Sequence, residues 1–118
     1  MSGKKLHVHV KVWLANEEAE PVFGLGLMRL LEGINQTGSI LHAASDMGMS
    51  YRSAWGRLRA AERRLGEPLL ERAPGAGRRG GSRLTAVGRR LLERYSALVR
   101  QITRLSEATF GRLFLIDN

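Results

Sequence analysis

Between residues 50 and 118 lie fifteen arginines and no lysine, against six carboxylates, Glu62, Glu67, Glu71, Glu93, Glu107 and Asp117. Residues 1–49 hold four basic side chains, Lys4, Lys5, Lys11 and Arg29, against five acidic ones, so the net charge of +8 belongs to the C-terminal part alone. The planar guanidinium fork pairs bidentately with phosphates and with the edge of guanine, a geometry the lysine ammonium lacks. The chemistry this set points to is recognition of a polyanion. A G+C-rich genome would also raise Arg over Lys, but it would not cluster the arginines.

The densest cluster has helical spacing. On a wheel at about 100° per residue, Tyr51, Ala54, Trp55, Ala61, Glu62 and Leu65 fall within about 60° of Leu58. The far side carries Ser53, Gly56 and Ala60, edged by Arg52 and Arg63 on one flank and by Arg57 and Arg64 on the other; Arg59 stands beside the apolar stripe. A strip of small residues edged by guanidinium groups fits a DNA major groove, the strip allowing close approach and the arginines reaching bases and phosphates. An ordinary solvated face is the alternative, but it would mix Glu among its bases, and the single carboxylate, Glu62, falls near the buried side. A second basic pair, Arg78 and Arg79, sits in a Gly- and Pro-rich segment between the short strand candidates 69–72 and 82–84. It reads as a basic wing touching the backbone or minor groove, with a plain linker as the alternative. No Gly-Lys-Ser/Thr accompanies those glycines, so a nucleotide-cradling loop is not indicated.

Several elements must hold that helix in place. Phe23, Leu27, Leu30, Leu31 and Ile34 have helical spacing and predict a first helix over about 22–36, stopping at Gly38. Ser39 can cap a short second helix carrying Ile40, Ala43, Ala44 and Met47, which ends at Gly48; Ser50 then caps the third. Two short helices joined through a glycine turn form a helix-turn-helix signature. Thr85 can cap a long final helix in which Leu91, Tyr95, Leu98, Ile102 and Leu105 are spaced as a heptad seam, the pattern of a homodimer, with packing inside the protomer alone as the alternative for a seam of only about two heptads. A second line, Val87, Leu92, Val99 and Phe110, is left to pack on its own domain, and the apolar end, Leu113 to Ile116, would be covered in a dimer. Ahead of everything, Leu6, Val8, Val10, Val12 and Leu14 alternate with His7, His9, Lys11 and Trp13, which predicts a strand with one buried face. The expected fold is mainly α with a small β component, a winged helix-turn-helix with a long C-terminal dimerisation helix. Its expected divisions are an N-terminal strand segment (1–16), a DNA-binding domain (17–84) and the dimerisation helix with its tail (85–118).

A chain of 118 residues supports one modest core, which excludes a large multi-domain enzyme. The absence of cysteine removes thiolate catalysis, Cys-based zinc sites and disulfides, and fits a cytoplasmic protein. No apolar run approaches membrane-spanning length. No nucleophile elbow, paired-carboxylate motif or nucleotide fingerprint is present, so neither an enzyme nor a cofactor is expected. His7 and His9, at i and i+2, could chelate a metal, which leaves a small metal- or anion-binding regulator as an alternative; exposed strand histidines without ligand role are the plainer reading. Non-specific nucleic-acid or RNA binding is the other alternative, and the few aromatics, three of which read as buried, weigh against stacked RNA bases.

From Gly38 onward the chain resembles the winged-helix DNA-binding part of ModE-type molybdate-responsive regulators and, more distantly, LysR-type regulators. The residues that carry the resemblance are Gly38-Ser39-Ile40, Met49 to Trp55 at the start of the third helix, Leu69-Leu70-Glu71-Arg72 before the basic wing, and Leu84-Thr85-Ala86-Val87-Gly88; Ser-Tyr-Arg-Ser-Ala-Trp is the most specific. The resemblance implies a dimer on a palindromic operator in double-stranded DNA. By the resemblance, Ser50, Tyr51, Arg52 and Ser53 match the groove-facing part of the recognition helix and Arg78 and Arg79 match the wing; with Ser39, Gly56, Arg57 and Arg63 they make up the expected DNA-binding set. For Tyr51 the wheel and the resemblance differ, since the wheel sets it about 20° from the core centre and the resemblance turns it toward the groove. Full-length members of that family carry a molybdate-binding domain that is not seen in this sequence. The expectation is therefore a regulator without that domain, compatible with a separate molybdate-sensing partner or with constitutive repression.

Overall fold

A computed structural model of the chain describes residues 5–74 and 81–115. Strand β1 (Leu14–Ala15) pairs antiparallel with β2 (Pro21–Phe23); helices α1 (Leu25–Thr37), α2 (Ile40–Asp46) and α3 (Tyr51–Leu65) follow. A second antiparallel pair, β3 (Leu70–Arg72) and β4 (Ser82–Leu84), leads into α4 (Ala86–Phe110), which closes in a wide π-helical turn at Gly111–Leu115. The expected winged helix-turn-helix with a long terminal helix is the fold observed.

The helix boundaries follow from capping chemistry. Ser39 Oγ accepts the His42 N–H at 3.1 Å, Ser50 Oγ accepts the Ser53 N–H at 3.0 Å and Thr85 Oγ1 accepts the Gly88 N–H at 3.0 Å. Each satisfies one of the donors that a helix start leaves without an internal partner. Between α2 and α3 the chain turns at Gly48, whose φ of +68° is a left-handed conformation that side chains disfavour.

Leu30, Leu31 and Ile34 of α1, Ile40, Ala43 and Ala44 of α2, and Ala54, Leu58 and Ala61 of α3 form one buried cluster, closed by Leu69, Leu84, Leu92 and Tyr95. Small residues let the layers approach: a Cβ added at Gly33 would stand 2.8 Å from that of Ala43, and one at Gly88 would overlap the Leu69 carbonyl oxygen. The wing pair is tied to the end of α1 by the Ser82 N–H to Gly38 C=O bond at 2.9 Å, and its own ladder is extended by Thr85 N–H to Leu69 C=O at 2.9 Å.

Two local expectations are corrected. The alternating run from Leu6 to Leu14 is not a strand: residues 5–13 take no regular secondary structure, and only Leu14 and Ala15 pair. A strand needs a partner backbone, and β2 offers only three residues; Leu6 and Val10 are accordingly exposed, with Val8, Val12 and Leu14 half-buried. The first helix begins at Leu25 rather than 22, because Pro21 to Phe23 pair with β1 before Gly24 opens the helix. Among the described residues no helix is long and apolar enough to cross a membrane.

Helix α4, with 25 residues, is about 37 Å long at ~1.5 Å per residue and stretches the molecule to 62 × 31 × 21 Å. Its first half packs on the body and its second half projects. Tyr95 is 2% exposed, lies edge-on to Phe23 at 5.0 Å between ring centroids and donates its hydroxyl to the Val12 carbonyl at 2.7 Å. Burial pushes its phenol above the ordinary pKa. Tyr95, expected on the intersubunit seam, is thus spent inside its own protomer. Of the remaining seam positions, Leu91 and Ile102 are half-buried while Leu98 and Leu105 are exposed, Leu105 at 68%.

Candidate nucleic-acid interface

Helix α3 is anchored from below by Ala54, Leu58 and Ala61, all fully or nearly buried, so its opposite face must look outward. That face carries Arg52, Ser53, Gly56 and Arg63, each exposed. A Cβ built on Gly56 would meet nothing within 4 Å. Glycine inside a helix costs about 0.5–1 kcal/mol relative to alanine, and no neighbour within the protomer requires it at this position. Arg57 is also exposed, yet its guanidinium leans toward α1, 3.6 Å from where a Gly26 Cβ would stand.

Tyr51 is not the core residue that the wheel made it. It is 47% exposed and lies edge-on to Trp55, 6.3 Å between centroids. The wheel misplaced it because the buried arc is centred between Ala54, Leu58 and Ala61, not on Leu58 alone, which leaves Tyr51 and half-buried Trp55 at its edge. Arg59 then covers Trp55, its guanidinium carbon 4.8 Å from the ring centroid. The i, i+4, i+8 spacing of Tyr51, Trp55 and Arg59 was the available signal for this ladder.

Beside the ladder runs an open groove of about 550 Å³ between the start of α2, the start of α3 and the wing strands. Ser39 and Tyr51 line it, with Arg72 and Ser82 opposite. Ser39 and Ser50 spend one oxygen lone pair each on capping and keep a hydroxyl proton to donate. Arg78 and Arg79, the expected wing contacts, lie outside the described residues.

The electrostatics separate the arginines further. Among the described residues, ion pairs join Arg64 to Glu20 at 3.7 Å and Arg83 to Glu71 at 3.1 Å. Arg52, Arg57 and Arg63 have no such pair, so their charge is available to an outside anion. Glu62, the lone carboxylate of α3, accepts the Leu69 N–H at 2.8 Å and the Leu70 N–H at 3.4 Å. It ties the wing to the helix instead of neutralising the basic face. Its role was signalled by a charge on the apolar stripe, where a carboxylate requires partners. His7 and His9 are both exposed, and among the described residues no three metal-ligating side chains come together.

Residues 25–89 match the family model of the bacterial regulatory helix-turn-helix proteins, lysR family. The molybdenum-pterin-binding protein MopB of Rhodobacter capsulatus is 37% identical over 82 residues, 70% of this chain and 30% of that protein. The transcriptional regulator ModE of Haemophilus influenzae is 45% identical over 73 residues, 62% of this chain and 29% of its own length. The chain spans about a third of the length of the curated relatives it matches. Among solved structures, a DNA complex of the CbnR DNA-binding domain superposes with a TM-score of 0.57 at 24% identity, over 72% of this chain and 92% of that one. Full-length CbnR on its target DNA gives 0.56 at 25%, over 71% of this chain and 27% of that one. With the family model covering more than half its residues and the winged helix-turn-helix observed directly, the chain belongs to the lysR family of bacterial regulatory helix-turn-helix proteins.

Proposed function

We propose that this chain is a homodimeric, sequence-specific DNA-binding transcriptional regulator, with residues 17–84 as the DNA-reading unit and residues 85–118 as the dimerisation helix and tail. The hairpin of β1 and β2 straddles the boundary drawn at residue 16 and joins the end of the N-terminal segment to the start of the reading unit. The carrying observation is the outward face of α3, where Arg52 and Arg63 stand without carboxylate partners around an unfilled Gly56. In this reading Arg52 and Ser53 meet base edges, Gly56 lets the helix backbone approach, Arg63 meets phosphate, and Ser39, Ser50 and Tyr51 hold the strand beside the groove. Arg57, leaning on α1, and Arg78 and Arg79 in the wing complete the backbone contacts. Leu98, Ile102 and Leu105 form the core of the intersubunit seam, with Leu91 at its edge. Two α3 helices then dock about 34 Å apart on a two-fold site.

A fluorescence-anisotropy titration of duplexes selected from a randomised pool, against random duplex, tests this. Tight preference for the selected duplex and a steep fall of affinity with salt, about 0.9 logarithmic units per phosphate contact for each tenfold rise in salt, are expected. Equal binding of both duplexes would overturn sequence-specific reading.

The names of the relatives motivate a link to molybdenum. We place any molybdate sensing outside this DNA-reading unit, with a separate sensing partner and constitutive regulation as the two arrangements compatible with it. Adding molybdate to the purified chain should leave its affinity for the selected duplex unchanged, and a shift would put the sensor in the chain itself.

A further inference from the structure

The hairpin of β1 and β2 precedes the residues that match the family model, yet it makes the most specific long-range contacts to α3. Asn16 organises the turn, its Oδ1 accepting the Glu18 N–H at 3.1 Å and the Glu20 N–H at 2.9 Å. The turn also holds Ala19 at a φ of +65°, a left-handed conformation that a non-glycine residue keeps only when its surroundings enforce it. From the same side chain, Nδ2 donates to the Arg64 carbonyl at 3.3 Å, meeting one of the acceptors that a helix end leaves open. Arg64 returns the contact, its guanidinium donating to the Pro21 carbonyl at 2.9 Å and facing Glu20 at 3.7 Å. The base of the hairpin is seated on α4, through Phe23 against the Tyr95 ring and through the Tyr95 hydroxyl on Val12.

We infer that this hairpin is a clamp that orients the DNA-reading helix, and that Asn16 and Arg64 are positioning residues that do not themselves touch DNA. The inference rests on the DNA-binding reading above. Hairpin and helix exchange side chain for backbone in both directions, Asn16 to the Arg64 carbonyl and Arg64 to the Pro21 carbonyl, which restricts translation of the last turn of α3 as well as its rotation. Because the same hairpin rests on α4, the tilt of α3 is referred to the helix that joins the two protomers. Arg63, one residue earlier and unpaired, remains free for phosphate, so neighbouring arginines of identical chemistry have different tasks.

Two measurements test the clamp. In the free protein, Asn16→Ala should speed amide exchange at Leu65 and Gly66 by roughly tenfold, the loss of about one hydrogen bond to a helix end, while the first turns of α3 and the buried half of α4 keep their protection. Unchanged exchange at Leu65 and Gly66 would overturn the clamp whether or not DNA is bound. On DNA, Arg64→Ala should weaken the selected duplex by roughly tenfold and leave random-duplex affinity and the salt slope as they were, and Arg64→Lys, which keeps a donor for the Pro21 carbonyl, should recover part of that loss. A salt slope reduced by about one on both duplexes would make Arg64 a phosphate contact and sink the positioning role. If the unaltered protein shows no preference for the selected duplex, the DNA-reading proposal fails, and the exchange measurement still decides the clamp.

Discussion

Helices α3 and α4 each carry five arginines, Arg52, Arg57, Arg59, Arg63 and Arg64 in one, and Arg89, Arg90, Arg94, Arg100 and Arg104 in the other. Their outward faces nevertheless suit different partners. Helix α3 has one carboxylate, and that one is turned inward to bond the wing backbone; α4 interleaves Glu93 and Glu107, both exposed, among its arginines. Helix α3 shows no exposed aliphatic side chain larger than alanine, whereas α4 exposes Leu98 and Leu105 and leads into exposed Leu113, Phe114 and Leu115. Charge count alone therefore does not identify a nucleic-acid surface. What separates the two helices is where the counter-charge and the apolar area go: α3 keeps a flat, polar face with no carboxylate on it, and α4 keeps a surface of mixed charge with exposed leucines.

The largest expected effect tests the seam. Leu105→Glu places a charge on a side chain that is exposed in the protomer, so helix content by circular dichroism should hold while sedimentation shows monomer. Affinity for a two-fold site should then fall by roughly a hundredfold or more, the loss of linked binding by two protomers. A dimer that persists would place the interface elsewhere.

Next comes the charge on α3. Arg52→Ala should cost about 1–3 kcal/mol on the selected duplex and little on random DNA, while Arg104→Ala on α4 should change either by no more than about 0.5 kcal/mol. Equal losses from the two substitutions would erase the distinction drawn between the helices.

Gly56→Ala should separate stability from binding by sign. Open space around the position predicts a gain of about 0.5–1 kcal/mol in thermal unfolding, together with weaker binding to the selected duplex because the new methyl stands between helix and groove. If binding improves along with stability, α3 does not approach DNA along this strip.

The smallest effect belongs to the wing pair. Arg83 and Glu71 lie on opposite strands at 3.1 Å with about half of each side chain in water, so Glu71→Gln should destabilise by no more than about 0.5 kcal/mol by thermal melting. A larger loss would mean that the wing strands depend on surface charge and not on Leu69 and Leu84 beneath them.

Much of the frame was legible from local chemistry. Ser39, Ser50 and Thr85 mark helix starts because each side chain supplies an acceptor within three residues, and Gly48 marks the turn because its conformation is local too. The candidate site was legible in part: Arg52, Ser53, Gly56 and Arg63 are exposed on one face as the wheel required, because the middle of α3 rests on the core along its whole opposite side. Arg64 was grouped with them, and nothing within α3 distinguishes it; its partners, Asn16, Glu20 and Pro21, are more than forty residues away in sequence.

Two tyrosines mark the boundary between what sequence and tertiary structure decide. Helical spacing put Tyr51 in the core and Tyr95 on the intersubunit seam, yet Tyr51 is 47% exposed and Tyr95 only 2% exposed within its own protomer. Spacing specifies which residues share a face of a helix, but a face becomes core only where another element covers it. The covered arc of α3 is centred on Ala54, Leu58 and Ala61 and stops short of Tyr51, and Tyr95 of α4 is covered by Phe23 and by a backbone carbonyl from Val12. The same reason accounts for the alternating run at the N-terminus, which has the period of a strand and no neighbouring backbone to pair with over most of its length. By itself the sequence determined the helices, their caps, the turn and the basic face, all set within a few residues. Which side chains remained free to meet a partner was decided only by contacts between segments distant in the chain.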